Sequence, residues 1–286
     1  MAINTIVKES FESLETFIDT MEERPLNAVF RGYENHLSSQ RDETQRETKF
    51  SGVNTYNDAM DILKKGYKEP LDKMKKAILK IGQQQSNQRP RMKNDFVGFV
   101  PNVPNTLMNL PMTMINREKI APKTKTIHLT YSFCAAAKTS TNDMIKGGVN
   151  FISLVNSLEK QGYRVKIDLC FTGVANKTAA AFTVNLKQYG QQINLLKLAF
   201  PLVHPAMLRR LAFKWIETTP TLKEKDFLSG YGTPLNYFVG QSLEREREFI
   251  KEHGIIKGEN SYYCNVYTAL NAANIEQLAA AMQIIK

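Results

Sequence analysis

The sequence predicts an α/β protein in which a layered domain of alternating strands and helices follows a smaller helical part. Three patterns predict this class: strand and helix periods alternate after residue 126, helical periods dominate before residue 83, and a basic polar stretch lies between. The chain has 286 residues, and 42% of them are hydrophobic. This content is enough to bury one sizeable core or two smaller ones.

The N-terminal part is predicted to be mainly helical. Apolar residues recur every three to five positions between Ile6 and Met21, a spacing typical of an amphipathic helix. We expect that helix over 8–23, because Pro25 then ends it. The segment 27–51 is polar and of mixed charge, and it is predicted to be irregular.

Two further helices are expected within or before the basic stretch. Thr55 and Asp58 have the spacing of a capping box, which predicts a helix over 56–65. Pro70 suits the first turn of the next helix, and Gly82 suits its end. Its predicted inner face is apolar and its outer face is basic, with Leu71, Met74, Ile78 and Ile81 inside and Lys73, Lys75, Lys76 and Lys80 outside.

Most of the net charge lies in one stretch of the chain. The whole sequence has a net charge of +10, and residues 64–93 contain ten basic and two acidic residues. The end of this stretch, QQQSNQRPRMKN, is polar and lacks apolar periodicity, so we expect a linker near 83–95. The sequence thus predicts a mainly helical region 1–95, a Pro-rich extended arm 96–120 and an α/β domain 121–286. The arm is expected to dock on the α/β domain or on another chain.

The α/β domain is predicted to begin with a strand, a helix and a second strand. Apolar residues alternate with more polar ones over 127–133 and again over 165–171, as they do in strands. Between them, a broad apolar face over 145–158 predicts a helix that Thr141 or Asn142 caps. A connection of this length fits a right-handed crossover between parallel strands. We therefore expect a sheet that is at least partly parallel.

The rest of this domain is predicted to add two strands and three helices. In chain order we expect a strand over 181–187, a helix over 195–203 capped by Asn194, a helix with Trp215 on its inner face, a strand over 263–270 and a closing helix after Asn274. In the helix that contains Trp215, we expect the charged side chains of Arg209, Arg210 and Lys214 to face solvent.

Three segments resemble a known group of proteins. They are GFVPNVPNTLMNLPMTM, LEKQGYRVKIDLCF and LLKLAFPLVHPAMLRRLAFKWIE. In these segments the chain resembles a family of uncharacterised tailed-bacteriophage proteins, and the resemblance covers residues 50–286. This family has no assigned biochemical activity. The resemblance implies a phage-encoded protein that acts in the cytoplasm of the host bacterium.

The second half of the chain is also similar in layout to von Willebrand A-type domains, which are Rossmann-like layered α/β folds. In those domains an Asp-x-Ser-x-Ser loop after the first strand holds a divalent cation. The corresponding residues 131–137 read YSFCAAA and contain no Asp. A hard cation needs several oxygen ligands, whereas this region offers Ser132 and the more distant Thr139 and Ser140. The resemblance therefore carries over no metal ligand.

The residue types that most often bind metals or act as nucleophiles are dispersed. The four histidines, His36, His128, His204 and His253, lack a ligand spacing such as H-x-x-x-H, so neither a metal nor another cofactor is predicted. We expect His204 to be structural. The three cysteines, Cys134, Cys170 and Cys264, lie in or beside apolar segments and are expected to be reduced core thiols.

The basic stretch predicts contact with a polyanion. A surface that only aids solubility usually mixes charges of both signs, and acidic residues are scarce here. The predicted contact residues are Lys73, Lys75, Lys76, Lys80, Arg89, Arg91 and Lys93, with Lys64, Lys65 and Lys68 as an outer set. No base-reading motif accompanies them, so they would contact the backbone of nucleic acid, with a salt slope of about −7 for eight phosphate contacts. The alternative is a solvated helix face that binds nothing.

The sequence thus predicts a non-enzymatic binding or assembly protein whose partner is nucleic acid or a phage or host protein. Two other classes stay open: a phage protein that binds a host defence component, and a divergent metal-dependent phosphoesterase that uses Asp143 and Asp168. No run approaches the roughly 18 apolar residues of a membrane span. The start MAINTIVKESF lacks the pattern of a secretory signal, so no membrane association is expected. The pattern leaves the oligomeric state open.

Overall fold

The computed structural model contains a five-stranded sheet and a three-stranded sheet. It describes residues 5–24, 45–76, 92–117, 125–136, 138–175, 178–222, 234–235, 242–258 and 260–284. Contacts divide the chain into a larger unit, residues 1–78 with 125–286, and a smaller unit, residues 79–124. The boundaries expected after residues 95 and 120 both fall inside the smaller unit.

The five-stranded sheet forms the centre of the larger unit. Its strands are β1 (Thr5–Phe11), β5 (Thr126–Ser132), β6 (Arg164–Ala175), β7 (Thr178–Lys187) and β8 (Ser261–Asn265), arranged in the order β1-β7-β6-β5-β8. β5 is parallel to β6 and to β8, β1 is parallel to β7, and β6 and β7 are antiparallel. The α/β class is confirmed, and so is the predicted parallel pairing of the two strands that a helix connects.

The helices of the larger unit are α1 (Leu14–Glu23), α2 (Gln45–Ser51), α3 (Tyr56–Lys65), α5 (Thr141–Lys160), α6 (Leu195–Val203), α7 (Phe213–Thr218), α8 (Leu243–Glu252), α9 (Val266–Asn271) and α10 (Ile275–Ala281). A π-helical segment, Met207–Ala212, runs directly into α7, and residues 71–76 are helical. The predicted capping box of α3 is confirmed. The Thr55 hydroxyl accepts from the Asp58 amide at 3.1 Å, and the Asp58 carboxylate accepts from the Thr55 amide at 2.9 Å.

Two predictions for the N-terminal part are wrong. The helix expected over 8–23 begins only at Leu14, after the Ser13 cap, because β1 occupies the preceding residues. Hydrogen bonds to β7, more than 160 residues further along the chain, decide this, and local periodicity does not contain that pairing. The segment expected to be irregular over 27–51 is helical in α2, while residues 25–44 lie outside the described residues.

The strand expected over 263–270 is wrong in its second half. β8 ends at Asn265, whose side-chain oxygen accepts from the Thr268 amide at 2.8 Å and caps α9. An asparagine at this position satisfies a first-turn amide, so the chain changes from strand to helix without a loop. The other predicted elements of the domain are present, including α6 with its Asn194 cap and α10 after Asn274. The cap expected for α5 is wrong: Ser140, and not Thr141 or Asn142, precedes the helix and accepts from a first-turn amide.

One face of the five-stranded sheet carries the main core. Aromatic rings cluster there: Phe182 lies 5.3 Å from Phe171, 5.4 Å from Phe17 and 5.0 Å from Trp215 between ring centroids. α5 and α6 pack closely on this face. They approach so closely that a Cβ atom at Gly148 would overlap the Val203 side chain. The glycine pair that precedes Val149 therefore serves helix packing and not phosphate binding.

The basic side chains around Trp215 are buried, contrary to prediction. Arg209, Arg210 and Lys214 are 3%, 1% and 2% exposed. They donate to backbone carbonyls of other segments: Arg209 to Phe50 and Ala136, Arg210 to Asn54, and Lys214 to Met21. The helix is covered by neighbouring elements on every side, and carbonyl groups at the ends of those elements compensate for the loss of water. Burial lowers the pKa of Arg209 to about 10, so its guanidinium is still charged at neutral pH.

The smaller unit is a three-stranded antiparallel sheet with a single helical turn. Its elements are β2 (Met92–Asp95), β3 (Val100–Pro101), α4 (Val103–Leu107) and β4 (Met114–Arg117), and the strand order is β2-β4-β3. The predicted linker therefore ends in a strand, and the predicted arm is not extended throughout. A Cβ atom at Gly98 would overlap the carbonyl of Ile115, so only glycine allows the two segments to approach this closely.

Large apolar side chains are exposed throughout the smaller unit. They are Met92, Phe96, Val97, Phe99, Val100, Val103, Leu107, Met108, Leu110 and Met112, each at least 43% exposed. No residue of α4 is buried. In the part of the chain that the structure describes, no helix has the length and apolar character needed to cross a bilayer.

Candidate functional site

A polar cleft lies on the second face of the five-stranded sheet. On this face, Phe249 and Ile250 of α8 pack against Val174 and Ala179 and form a small second core. Beside this core a cleft of about 720 Å³ opens, lined by residues of β1, β5, β6 and β7 and by the segment after α8. The strand positions that face the cleft carry polar and charged side chains.

His128 and Asp168 form the centre of the cleft. The Nε2 atom of His128 lies 2.7 Å from the Asp168 carboxylate, and each side chain is 13% exposed. The second carboxylate oxygen accepts from the Asn185 amide at 2.7 Å, and the Lys166 ammonium lies 3.4 Å from the first. Donors therefore hold Asp168 at both oxygens, which fixes the orientation of the carboxylate.

The strand register brings these residues together. In the parallel pair, His128 of β5 lies opposite Lys166 of β6, so Asp168 follows two positions further on the same face. The antiparallel register of β6 and β7 places Asn185 opposite Asp168, and a bulge follows directly after this pair. The same irregularity turns Lys187 to the other face, where its ammonium pairs with Glu159 of α5 at 2.6 Å. Bulges commonly redirect side chains next to functional sites.

The hydrogen bonds and charges around Asp168 determine the direction in which its pKa is shifted. Burial alone would raise the pKa of Asp168, but the hydrogen bonds from His128 and Asn185 and the charges of His128 and Lys166 outweigh it and lower that pKa. The Nδ1 atom of His128 lies 3.2 Å from the Ser261 hydroxyl, which itself donates to the Lys257 carbonyl at 2.7 Å. The proton of the Ser261 hydroxyl is therefore already used, and the hydroxyl oxygen is the atom that faces the ring.

This arrangement suits binding better than nucleophilic catalysis. Asp168, His128 and Ser261 lie in the order of a catalytic triad, but the Ser261 hydroxyl donates to the Lys257 carbonyl at 2.7 Å and so does not direct its proton at His128. Ser261 is only 6% exposed and does not line the cleft. The cleft can instead present fixed charges and hydrogen-bonding groups to a ligand.

Asp143, the other acid considered for phosphoesterase chemistry, has a different role. It lies in the first turn of α5, where its amide donates to the Ser140 hydroxyl at 3.1 Å, and it does not line the cleft with Asp168. No group of three or more His, Cys, Asp or Glu side chains could hold a metal ion among the described residues. The structure therefore adds no support for the phosphoesterase alternative, which stays a prediction.

The predicted polyanion contacts fall into three groups. Lys68, Lys73, Lys75 and Lys76 are exposed, while Met74 between them is buried. Lys64 pairs with Glu22, Lys65 with Asp61 at 2.6 Å and Lys93 with Asp95 at 2.9 Å. Lys80, Arg89 and Arg91 lie outside the described residues. The four exposed lysines form a surface that we call the basic helix patch.

The predictions for His204 and the cysteines are confirmed. His204 is buried, its ring stacks on Phe200 at 4.6 Å, and its Nδ1 atom accepts from the Ala206 amide at 3.1 Å. Burial lowers the pKa of His204 to about 4. All three cysteines are free and buried, and burial raises the pKa of Cys134 to about 11, so this thiol is unreactive at neutral pH.

The sequence did not predict the cleft as a site. The sequence feature that could have indicated the cleft is the presence of polar residues, such as His128 and Asp168, at alternate positions of otherwise apolar strands. Which of these residues meet depends on strand order and register, and neither can be derived from one strand alone.

The cleft and the basic helix patch both lie within the span of one protein family. The family described as "Domain of unknown function (DUF7192)" matches residues 2–276. The chain belongs to this family. No curated protein and no solved structure matches the chain. The matched span includes the residues of both sheets of this chain.

Proposed function

We propose that the protein is a non-enzymatic binding protein that contacts the backbone of nucleic acid through the basic helix patch. One observation carries this proposal: within nine residues, Lys68, Lys73, Lys75 and Lys76 are all exposed, and no ion pair in the described part of the chain involves them. Each lysine that neutralises a phosphate releases condensed counterions, which favours binding.

The two acidic residues near the patch do not cancel its charge. The Glu69 carboxylate accepts from the Tyr67 hydroxyl at 2.8 Å, and Asp72 is exposed, so two negative charges stand against four positive ones. By contrast, the neighbouring Lys64 and Lys65 each pair with a carboxylate. The proposed contacts reach phosphates and no base edges, so binding should be independent of sequence.

The finer relationship of the fold is part of the same proposal. The protein is a phage-encoded von Willebrand A-like protein of the bacterial cytoplasm. This is supported by the three segments that resemble tailed-phage proteins, and by the β5-α5-β6 crossover with β8 parallel on the other side of β5. In this arrangement β5 lies between two parallel neighbours, β6 and β8, as a strand inside a layered α/β sheet does.

Charge reversal with a matched control tests the nucleic-acid contact. Changing Lys68, Lys73, Lys75 and Lys76 to Glu should abolish binding to a labelled DNA duplex at low salt in a fluorescence anisotropy titration. The control changes the exposed Lys138, Lys146, Lys160 and Lys251 to Glu, which alters the net charge by the same amount at sites away from the patch. The control should bind much more tightly than the patch variant.

The salt dependence gives a second measurement of the same contact. Changing the four patch lysines to Gln should make the slope of log K against log salt shallower by about 3 to 4, because each lost phosphate contact removes about 0.9. Equal losses in the patch and control variants would show that only overall charge matters. Unchanged binding by the patch variant would refute the proposed contact.

A second candidate function, binding of a phage or host protein, is favoured by the smaller unit. Its ten exposed apolar side chains exceed what scattered surface residues explain, and such patches are typical of contact surfaces. Changing Leu107 and Met108 to Asp should abolish capture of a specific partner from infected cells. The matched control is Tyr189→Asp, which changes an exposed apolar side chain of the larger unit. A partner retained by the Leu107 and Met108 variant would exclude this surface.

A further inference from the structure

Three lysines from separate elements line the cleft around Asp168. They are Lys8 of β1, Lys166 of β6 and Lys257, which follows α8. The Lys8 ammonium donates to the His253 carbonyl at 2.7 Å, and the Lys166 ammonium lies 3.4 Å from Asp168. An ammonium group has three donors, so each lysine can donate further hydrogen bonds into the cleft. Their convergence favours a ligand with several negatively charged oxygens.

The acidic residues of the cleft leave this positive charge in excess. Arg24 donates to the Glu9 carboxylate at 2.6 Å and Trp215 donates to it as well, so Glu9 is neutralised from outside the cleft. His128 and Asn185 hold Asp168. Glu12 is the one further acid among the lining residues in the described part of the chain. With Glu9 paired to Arg24, three lysines stand against two carboxylates, Asp168 and Glu12, which leaves one positive charge in excess.

An exposed aromatic ring lies at the same cleft. Tyr189, in the turn after β7, is 43% exposed. Among the described residues of the larger unit, it is the only large hydrophobic side chain that is exposed to this extent. Burial, and then the charge of Asp168, raises the pKa of Tyr189, so its phenol is neutral and lies within the field of that carboxylate. An exposed neutral ring beside cations is the usual platform on which a nucleobase stacks.

We infer that this cleft binds a nucleotide, with its phosphates at Lys8, Lys166 and Lys257 and its base on the ring of Tyr189. The exposed part of the Asp168 carboxylate accepts from a ribose hydroxyl, a contact that carboxylates make in other nucleotide sites. The cleft volume of about 720 Å³ falls in the range of small-molecule sites, which runs from about 300 to 1,000 Å³.

Stability alone does not require the polar centre of this cleft. Burying His128 and Asp168 removes both from water, and well-packed apolar side chains at such positions are usually at least as stable. The adjacent part of the same sheet face is covered in that way, by Phe249 and Ile250 against Val174. A charged cluster held at the edge of an apolar cover is typical of a functional site.

The inference is independent of the proposed nucleic-acid contact, since the two use different residues. The test is isothermal titration of the full chain with ADP and with UDP, and with adenosine, inorganic phosphate and 2′,3′-dideoxy-ADP as comparisons. We expect ADP and UDP to bind at one site per chain, because stacking on Tyr189 does not select a base. Adenosine and phosphate should each bind at least about tenfold more weakly, because each lacks one half of the contacts.

Single substitutions locate the site. Tyr189→Ala and Lys166→Gln should each weaken ADP binding by at least about fivefold, the lower limit expected for one stacking contact. Lys146→Gln, at an exposed lysine of α5, is the matched control and should bind ADP as the unchanged protein does. A thermal melt of each variant shows whether it is folded, so that lost binding is not confused with unfolding.

Three results would overturn the inference. The first is the absence of ADP and UDP binding at millimolar concentration to the folded protein. The second is binding that neither Tyr189→Ala nor Lys166→Gln weakens. The third is ADP binding that is lost only when the four lysines of the basic helix patch are changed to Gln, which would place the nucleotide there. Failure of the patch variants to lose DNA binding would leave the cleft inference unaffected.

Discussion

The five-stranded and three-stranded sheets differ in what their side chains contact. Phe182 and Trp215 of the larger unit are fully buried, whereas Phe99 and Leu107 of the smaller unit are 53% and 82% exposed. The segments that contain these residues are rich in apolar residues in both units, so apolar content alone does not distinguish the two sheets. The difference comes from the layers: α5, α6 and α7 cover the large sheet, while one helical turn accompanies the small one. A sheet buries its side chains only when a second layer covers it.

The size of the smaller unit explains this outcome. Its strands have four, two and four residues, and its helix has five. The whole unit spans only residues 79–124, and a single core in a chain below roughly 70 to 80 residues rarely supplies more than about 3 to 5 kcal/mol. None of the described residues of this unit is buried, so its apolar side chains stay exposed.

The largest expected effect is a difference in unfolding free energy between matched substitutions in the two sheets. Phe182→Ala should lower the free energy of unfolding by about 3 to 5 kcal/mol, because it leaves a cavity among Phe171, Phe17 and Trp215. Phe99→Ala, the matched substitution in the smaller unit, should change it by less than about 0.5 kcal/mol. Urea unfolding followed by the fluorescence of Trp215, the only tryptophan, measures both. Equal costs for the two variants would mean that Phe99 is covered.

The next effect depends on pH and is confined to the larger unit, since the smaller unit contains no histidine. Burial holds the pKa of His204 at about 4, below its usual value near 6.5, so the unfolded chain binds the proton more readily. The stability that neutral His204 contributes is complete above pH 6.5 and is lost as the pH falls towards 4, by about 3 kcal/mol.

Urea midpoints between pH 7 and pH 4 test this dependence. In His204→Asn, a side-chain oxygen can still accept from the Ala206 amide, but nothing titrates at this position. The variant should be less stable at pH 7, because it loses the stacking on Phe200, and its stability should fall less steeply with acid. A variant with the same steepness as the unchanged protein would show that other groups cause the acid dependence.

The smallest expected effect compares two helix caps. Thr55→Ala removes the capping box of α3, which packs against the core, and should cost about 1 kcal/mol. Asn102 caps α4 in the smaller unit in the same manner, but that helix buries no residue. Asn102→Ala should therefore leave the unfolding transition of Trp215 unchanged. If both substitutions lowered the free energy of unfolding equally, the smaller unit would have to unfold together with the larger one.

Local signals in the sequence were sufficient for several elements. The Thr55 and Asp58 pair predicted α3, and the alternation over 165–171 predicted β6. These predictions succeeded because caps and alternation involve residues a few positions apart. The prediction for 8–23 failed at β1 because its partner, β7, lies far along the chain.

The charged residues show the same limit more clearly. Arg209, Arg210 and Lys214 have the spacing of a solvent-facing helix side, yet carbonyl groups of four distant segments surround them. Lys73 and Lys75 have a similar spacing and are exposed, as the sequence predicted. Charge and period are alike in the two helices. What differs is the number of elements packed around each, and a single helix does not specify this.

By itself the sequence determined the α/β class, the parallel strands joined by a helix, the caps of α3 and α6 and the basic character of residues 64–93, because each depends on neighbouring residues. The tertiary structure decided which polar residues meet, since strand order and register bring His128, Asp168 and Asn185 into one cleft. It also decided which apolar residues are buried. Both outcomes depend on contacts between residues far apart in the chain, whose free energy exists only once the sheet and its covering helices have formed.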